Sequence, residues 1–76
     1  MFSKPVVFSR HALAKVAKEG LTVEEVEKAV IEGEIVPEGN CKFKAVLGKK
    51  DFWIIAVFEE YEERIAVITV LKKKGR

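Results

Sequence analysis

Seventy-six residues make one small domain, 1–76, because a chain of this length hides only about 60% of its unfolded surface and has room for a single core. Hydrophobic types are 49% of it and charged types 34%, a globular composition that excludes a disordered or collagen-like chain. Formal net charge is only +2; one Cys and one His exclude a disulfide framework, a four-ligand zinc site within the chain and a Cys-x-x-Cys redox pair, so no metal or other cofactor is expected.

Val6, Val7 and Phe8 form a β-branched and aromatic run suited to an opening strand, with Pro5 tolerable at its edge. Ser9 follows as a helix N-cap, and the first helix runs from Arg10 to Glu19 before Gly20 supplies a left-handed stop. At 100° per residue, Ala12, Leu13, Val16 and Ala17 make its core side, and His11, Lys15 and Lys18 share the opposite, cationic side. Thr22 with Glu25 reads as a capping box for a second helix to Glu32, with Leu21 and Val26 as its hydrophobic staple. Val23, Val26, Ala29 and Val30 are its apolar stripe.

The remainder reads as strands. Ile35 and Val36 form a short one stopped by Pro37, and Lys42 to Leu47 alternates with Phe43, Ala45 and Leu47 on one side. Phe52 to Phe58 is apolar on both faces, as a central strand would be. Arg64 to Leu71 completes the set, with Ile65, Val67, Thr69 and Leu71 on one face and Ala66, Ile68 and Val70 on the other. The expected class is α+β in the order β-α-α-β-β-β, a sheet with two helices packed on one face. Two short helices cannot cover both faces of such a sheet, so a partner chain, most economically in a homodimer, is expected on the second face.

The longest apolar run, Phe52 to Phe58, has seven residues. That is too short for a membrane helix, and the N-terminus carries no signal-peptide pattern, so no membrane partner and a cytoplasmic location are expected. Charge falls in blocks: residues 1–20 and 41–58 are net basic, while residues 21–40 hold six glutamates against Lys28. Such blocks permit a basic side for an anionic partner, and equally a solvated Lys/Glu surface of a heat-adapted protein.

Ser9-Arg10-His11-Ala12, Lys15, Gly20-Leu21-Thr22, Glu24-Glu25-Val26, Val46-Leu47-Gly48 and Ile68-Thr69-Val70 together resemble an uncharacterised bacterial and archaeal family related to the RelE and ParE toxins. The likeness spans about residues 7 to 71. It implies a small α+β domain with an antiparallel sheet and two packed N-terminal helices, and a relationship to messenger-RNA endonucleases held inactive by an antitoxin. The implied partners are therefore an antitoxin protein and RNA or the ribosome. The chain departs from such relatives in carrying Lys15 and Glu19 where arginines are usual, and Leu71 where an aromatic residue is common. Lysine keeps the charge but loses bidentate phosphate geometry, and Glu19 reverses the sign.

His11 is the one side chain that titrates near neutral pH unaided, so metal-independent RNA cleavage would run through it as proton donor, with Lys15 offsetting charge. Lys18, Arg64 and Lys72 are candidates for phosphate contacts. The plainer alternatives are a His11 that packs or bonds a carbonyl, and a solvated basic tail. Trp53 suits either base stacking or packing, and Cys41 has no nearby His or Cys. The motifs of Walker, Rossmann and HExxH enzymes are absent. Two functions stand side by side: a toxin-like RNA endonuclease, and a non-catalytic protein-interaction or dimerisation module that retains the fold.

Overall fold

The computed structural model describes residues 4–75. Its elements are β1 (Val6–Phe8), α1 (Arg10–Lys18), α2 (Val23–Glu32), β2 (Glu34–Pro37), β3 (Lys42–Gly48), β4 (Phe52–Glu60) and β5 (Ile65–Lys74). The class is α+β as expected, but the sheet has five strands in the order β1-β5-β4-β3-β2, and it is mixed rather than antiparallel. β1 runs parallel to β5, with Val6 opposite Ile65 and Phe8 opposite Val67. The short Ile35–Val36 stretch grows into a full edge strand because Glu34 to Pro37 pair with Val46 to Phe43. Pro37 is tolerated there since an edge strand leaves one side of its backbone unpaired.

Both helices begin where the sequence places them. The Ser9 hydroxyl accepts the Ala12 N–H at 3.0 Å, and Thr22 and Glu25 cap each other reciprocally at 3.1 and 2.9 Å. α1 ends in a Schellman turn: Gly20, at φ 70°, donates to the Ala17 carbonyl, and Leu21 donates to that of Val16. Gly33 ends α2 for another reason. A side chain there would strike the Ala29 carbonyl oxygen and sit 2.7 Å from that of Val46, so only glycine lets the chain pass directly from α2 into β2.

All buried side chains among the described residues are apolar, and they lie between the helices and one sheet face. Ala12 and Val16 come from α1, Val26, Ala29 and Val30 from α2, and Ala45, Ile54, Ala56 and Phe58 from the central strands. Leu13 and Ala17, expected in the core, are exposed; α1 rests on the sheet edge along β5, and a narrow stripe suffices for that contact.

A β-bulge overturns the expected faces of β5. Val57 pairs with Thr69 while its neighbour Phe58 pairs with Val67, leaving Ile68 as the extra residue. Ser9 fixes the spot, donating its N–H to the Val67 carbonyl and its hydroxyl to that of Ile68. Beyond the bulge the alternation inverts. Val70 turns into the helix-covered core, and Thr69 and Leu71 move to the opposite face. There they join Val46, Trp53, Ile55 and Val57 on a sheet surface that neither α1 nor α2 nor any other element among the described residues covers.

Candidate nucleic-acid interface

α1 lies beside the upper part of β5, where β1 has already ended, so the cationic side of the helix is delivered to the strand's C-terminal end. The joining residue is Glu19. One carboxylate oxygen accepts the Lys72 backbone N–H at 3.1 Å, and the other lies 3.8 Å from the Lys15 ammonium one turn back on the helix. Glu19 thus satisfies a backbone donor that β1 is too short to reach.

Lys15 and Lys72, remote in sequence, are brought to one corner by this carboxylate. Both are half-buried, and the Lys72 ammonium lies 4.5 Å from the centroid of the Phe52 ring, a cation–π contact that holds it against the sheet. Lys18 is exposed on the last turn of α1, next to this corner. His11 is exposed near the start of α1, one helical turn before Lys15, and among the described residues no hydrogen bond or ion pair orients it. Arg64 does not join them. It sits in the β4–β5 turn with its guanidinium 4.6 Å from the Tyr61 ring centroid, and eight residues of strand, roughly 25 Å, separate it from Lys72.

The corner continues into a basic end of the sheet. Lys74 pairs with Phe52 at the start of β4, and the β3–β4 turn carries Lys49 and Lys50 beside it, opposed by Asp51. The separate basic blocks of the sequence meet here because antiparallel pairing returns each chain segment to the same end. The opposite end carries Glu38, Glu59, Glu60, Glu62 and Glu63 in and around the other turns, partly offset by Lys4 on Glu60, Lys44 near Glu38, Lys42 and Arg64, so the basic excess lies at the first end of the strands and this one is the acidic end. Lys49 and Lys50 were legible only as a local charge block, and Lys74 only as part of a basic tail, which the structure draws into β5. The described residues enclose no pocket, which leaves an open surface at this site. Among them no group of three or more His, Cys, Asp or Glu gathers to hold a metal ion, and no helix is long and apolar enough to cross a membrane.

Residues 8–72 match the family described as a domain of unknown function, DUF4258. The chain belongs to that family. No curated protein and no solved structure matches it. The matched span in this DUF4258 domain runs from the last residue of β1 into β5 as far as Lys72, so it includes the whole α1–Glu19–Lys72 corner.

At the acidic end, the Tyr61 hydroxyl donates to a Glu59 carboxylate oxygen at 2.6 Å. That bond, and then the negative charge behind it, hold the phenol above its ordinary pKa of 10.0. Tyr61 is the only tyrosine, so its absorbance titration is clean. The expected midpoint lies above that of free tyrosine, and Glu59→Gln brings it down. Because the folded value is the raised one, the bond's contribution is complete below the unfolded pKa and is lost as pH rises through the folded value. An unshifted midpoint in the wild type would contradict the bond.

Proposed function

We propose that this DUF4258 domain is a RelE/ParE-like, toxin-type RNA-binding domain that docks RNA phosphates on its basic end and cleaves RNA without a metal through His11. The observation that carries the reading is the convergence of Lys15, Lys18 and Lys72, from two segments more than fifty residues apart, on one corner backed by Lys49, Lys50 and Lys74. An open, pocket-free basic surface suits a polyanion better than a small substrate. The two helices on a small α+β sheet agree with the resemblance, while the parallel β1–β5 pair departs from the antiparallel sheet that it implies.

In this reading the lysines hold the backbone, and the exposed imidazole of His11, one turn away, reaches the scissile phosphate. The RNA's own 2′-hydroxyl attacks phosphorus and gives its proton to water. The bond to the 5′-oxygen breaks, and His11 protonates that oxygen as Lys15 offsets charge on the phosphoryl oxygens. A separate antitoxin protein would hold the activity in check in the cytoplasm, as the resemblance implies. Cleavage of a ribosome-bound message and of free RNA tests the proposal. His11→Ala is expected to lose at least about tenfold in rate, the low side of a positioned acid, with RNA affinity nearly intact. Cleavage by the variant at the wild-type rate overturns the assignment of His11.

A second reading has its own observation. The uncovered sheet face carries Val46, Trp53, Ile55, Val57 and Leu71 in adjoining positions, which favours a module that retained the fold to bind protein. A wild type that binds RNA but cuts in neither format would favour this reading.

A further inference from the structure

We propose that the uncovered sheet face is a homodimer interface whose two-fold axis runs along the strands between β3 and β4, an inference that rests on the protein-binding reading and is independent of RNA cleavage. The strand register fixes what each position on this face would meet. It lies in rows: Lys73, Trp53 and Gly48 in the first, and Leu71, Ile55, Val46 and Glu34 in the second. Thr69, Val57, Lys44 and Val36 make the third, and Ala66, Glu59 and Lys42 the fourth.

An axis between β3 and β4 sets β4 on the partner's β3 and β5 on the partner's β2, row upon row. Trp53, the largest side chain of the face, then stands over the partner's Gly48, which has no side chain of its own. Ile55 meets the partner's Val46, and Val57 meets the partner's Lys44, whose ammonium keeps its own Glu38 at 3.9 Å. Lys42 meets the partner's Glu59, and Lys73 comes diagonally onto the partner's Glu34. Each contact occurs twice by symmetry. Aligned sheets cross at about −30°, which displaces the corner contacts by roughly one strand spacing, within reach of a lysine arm.

Other axes do worse. Along β4 itself, Glu59 meets the partner's Glu59 and Trp53 collides with its own copy. Across the strands, Glu59 falls on the partner's Trp53. Like charges and buried charges of this kind oppose association. Size also fits. Four strands about 4.8 Å apart and four rows about 6.7 Å apart give roughly 500 Å² per copy. The pair therefore buries on the order of 1,000 Å², the lower bound of a specific interface, as expected of a reversible, micromolar dimer.

Glu34 and Lys73 provide the decisive test, because they lie on β2 and β5, with two strands between them in the monomer. Sedimentation equilibrium of the full chain at low salt is expected to show a dimer. Glu34→Lys alone and Lys73→Glu alone are each expected to weaken it at least about tenfold, since each turns two attractions into repulsions. An equimolar mixture of the two single variants, and the double variant by itself, are expected to recover it. Only a contact between chains can be rescued by mixing. Trp53→Glu, with its circular dichroism unchanged to show that it folds, is expected to be monomeric. A wild type that stays monomeric at about 200 μM, well above any dissociation constant of functional use, overturns the proposal and leaves the face to a different protein. A folded Trp53→Glu that still dimerises, or single variants that fail to complement, overturns this geometry. RNA binding measured on the same variants separates this failure from that of the basic end, which the variants leave in place apart from Lys73.

Discussion

Phe58→Ala is expected to cost about 3–5 kcal/mol and to leave the domain at the margin of folding. Phe58 is 1% exposed, the largest of the fully buried side chains, and its ring stacks on that of Phe43 with centroids 5.6 Å apart. It also lies at the β-bulge, paired with Val67 where Ser9 anchors the start of α1. Its removal opens a cavity beneath both the strand pairing and the helix entry. A domain of this size holds in total about 4–11 kcal/mol, so one cavity consumes about a quarter of the stability or more. The check is the denaturant midpoint at unchanged slope, with the melting temperature alongside. Phe58→Leu, which keeps most of the volume, should lose less than half as much. A loss under about 1 kcal/mol for the alanine variant would mean that the site collapses around the gap, contrary to the close packing seen here.

Replacing Lys15, Lys18 and Lys72 together by Gln is expected to weaken binding of single-stranded RNA about 100-fold at 0.1 M salt. Each phosphate contact on a single strand contributes about 0.7 to the slope of log affinity against log salt, so three contacts remove about two units of slope and two decades of affinity. The same treatment of Arg64 should change little, because Arg64 lies at the acidic end of the strands. Titrations across a salt series distinguish the two. Equal loss for both variants would mean diffuse attraction by net charge; no loss for the triple variant would remove the basic end from consideration. Gln removes the charge while keeping a polar side chain, and at Lys72 it also removes the ammonium over the Phe52 ring, so unchanged circular dichroism of the triple variant is checked first.

Local chemistry was fully legible in the sequence. As caps and stops, Ser9, Gly20, Thr22 and Glu25 act within four residues of themselves, so a single residue type at the right offset announces them, and the structure places both helices accordingly; the bonds of Ser9 to Val67 and Ile68 were not legible in this way. The core stripe of α2 was legible too, since Val26, Ala29 and Val30 repeat at helical spacing. The corner formed by Lys15, Glu19 and Lys72 was half legible: the helix face could be drawn from its period, but a bond from a backbone N–H 53 residues away leaves no trace in composition or spacing.

Sequence alone thus determined the class, the helices and their caps, the charge blocks and the surplus of apolar side chains over what two helices can cover. Tertiary structure decided the rest. β1 pairs parallel to β5 because three residues of strand carry no mark of direction, and only the packing of α1 selects the neighbour. Pro37 ended the sequence pattern, yet the sheet edge accommodates it within β2. The faces of β5 were beyond reach for a sharper reason: Ile65 to Leu71 is apolar or small at every step, so a shift of one residue changes nothing in the pattern. The bulge at Ile68, set by Ser9 and the pairing with β4, is what sends Val70 inward and Leu71 to the open face.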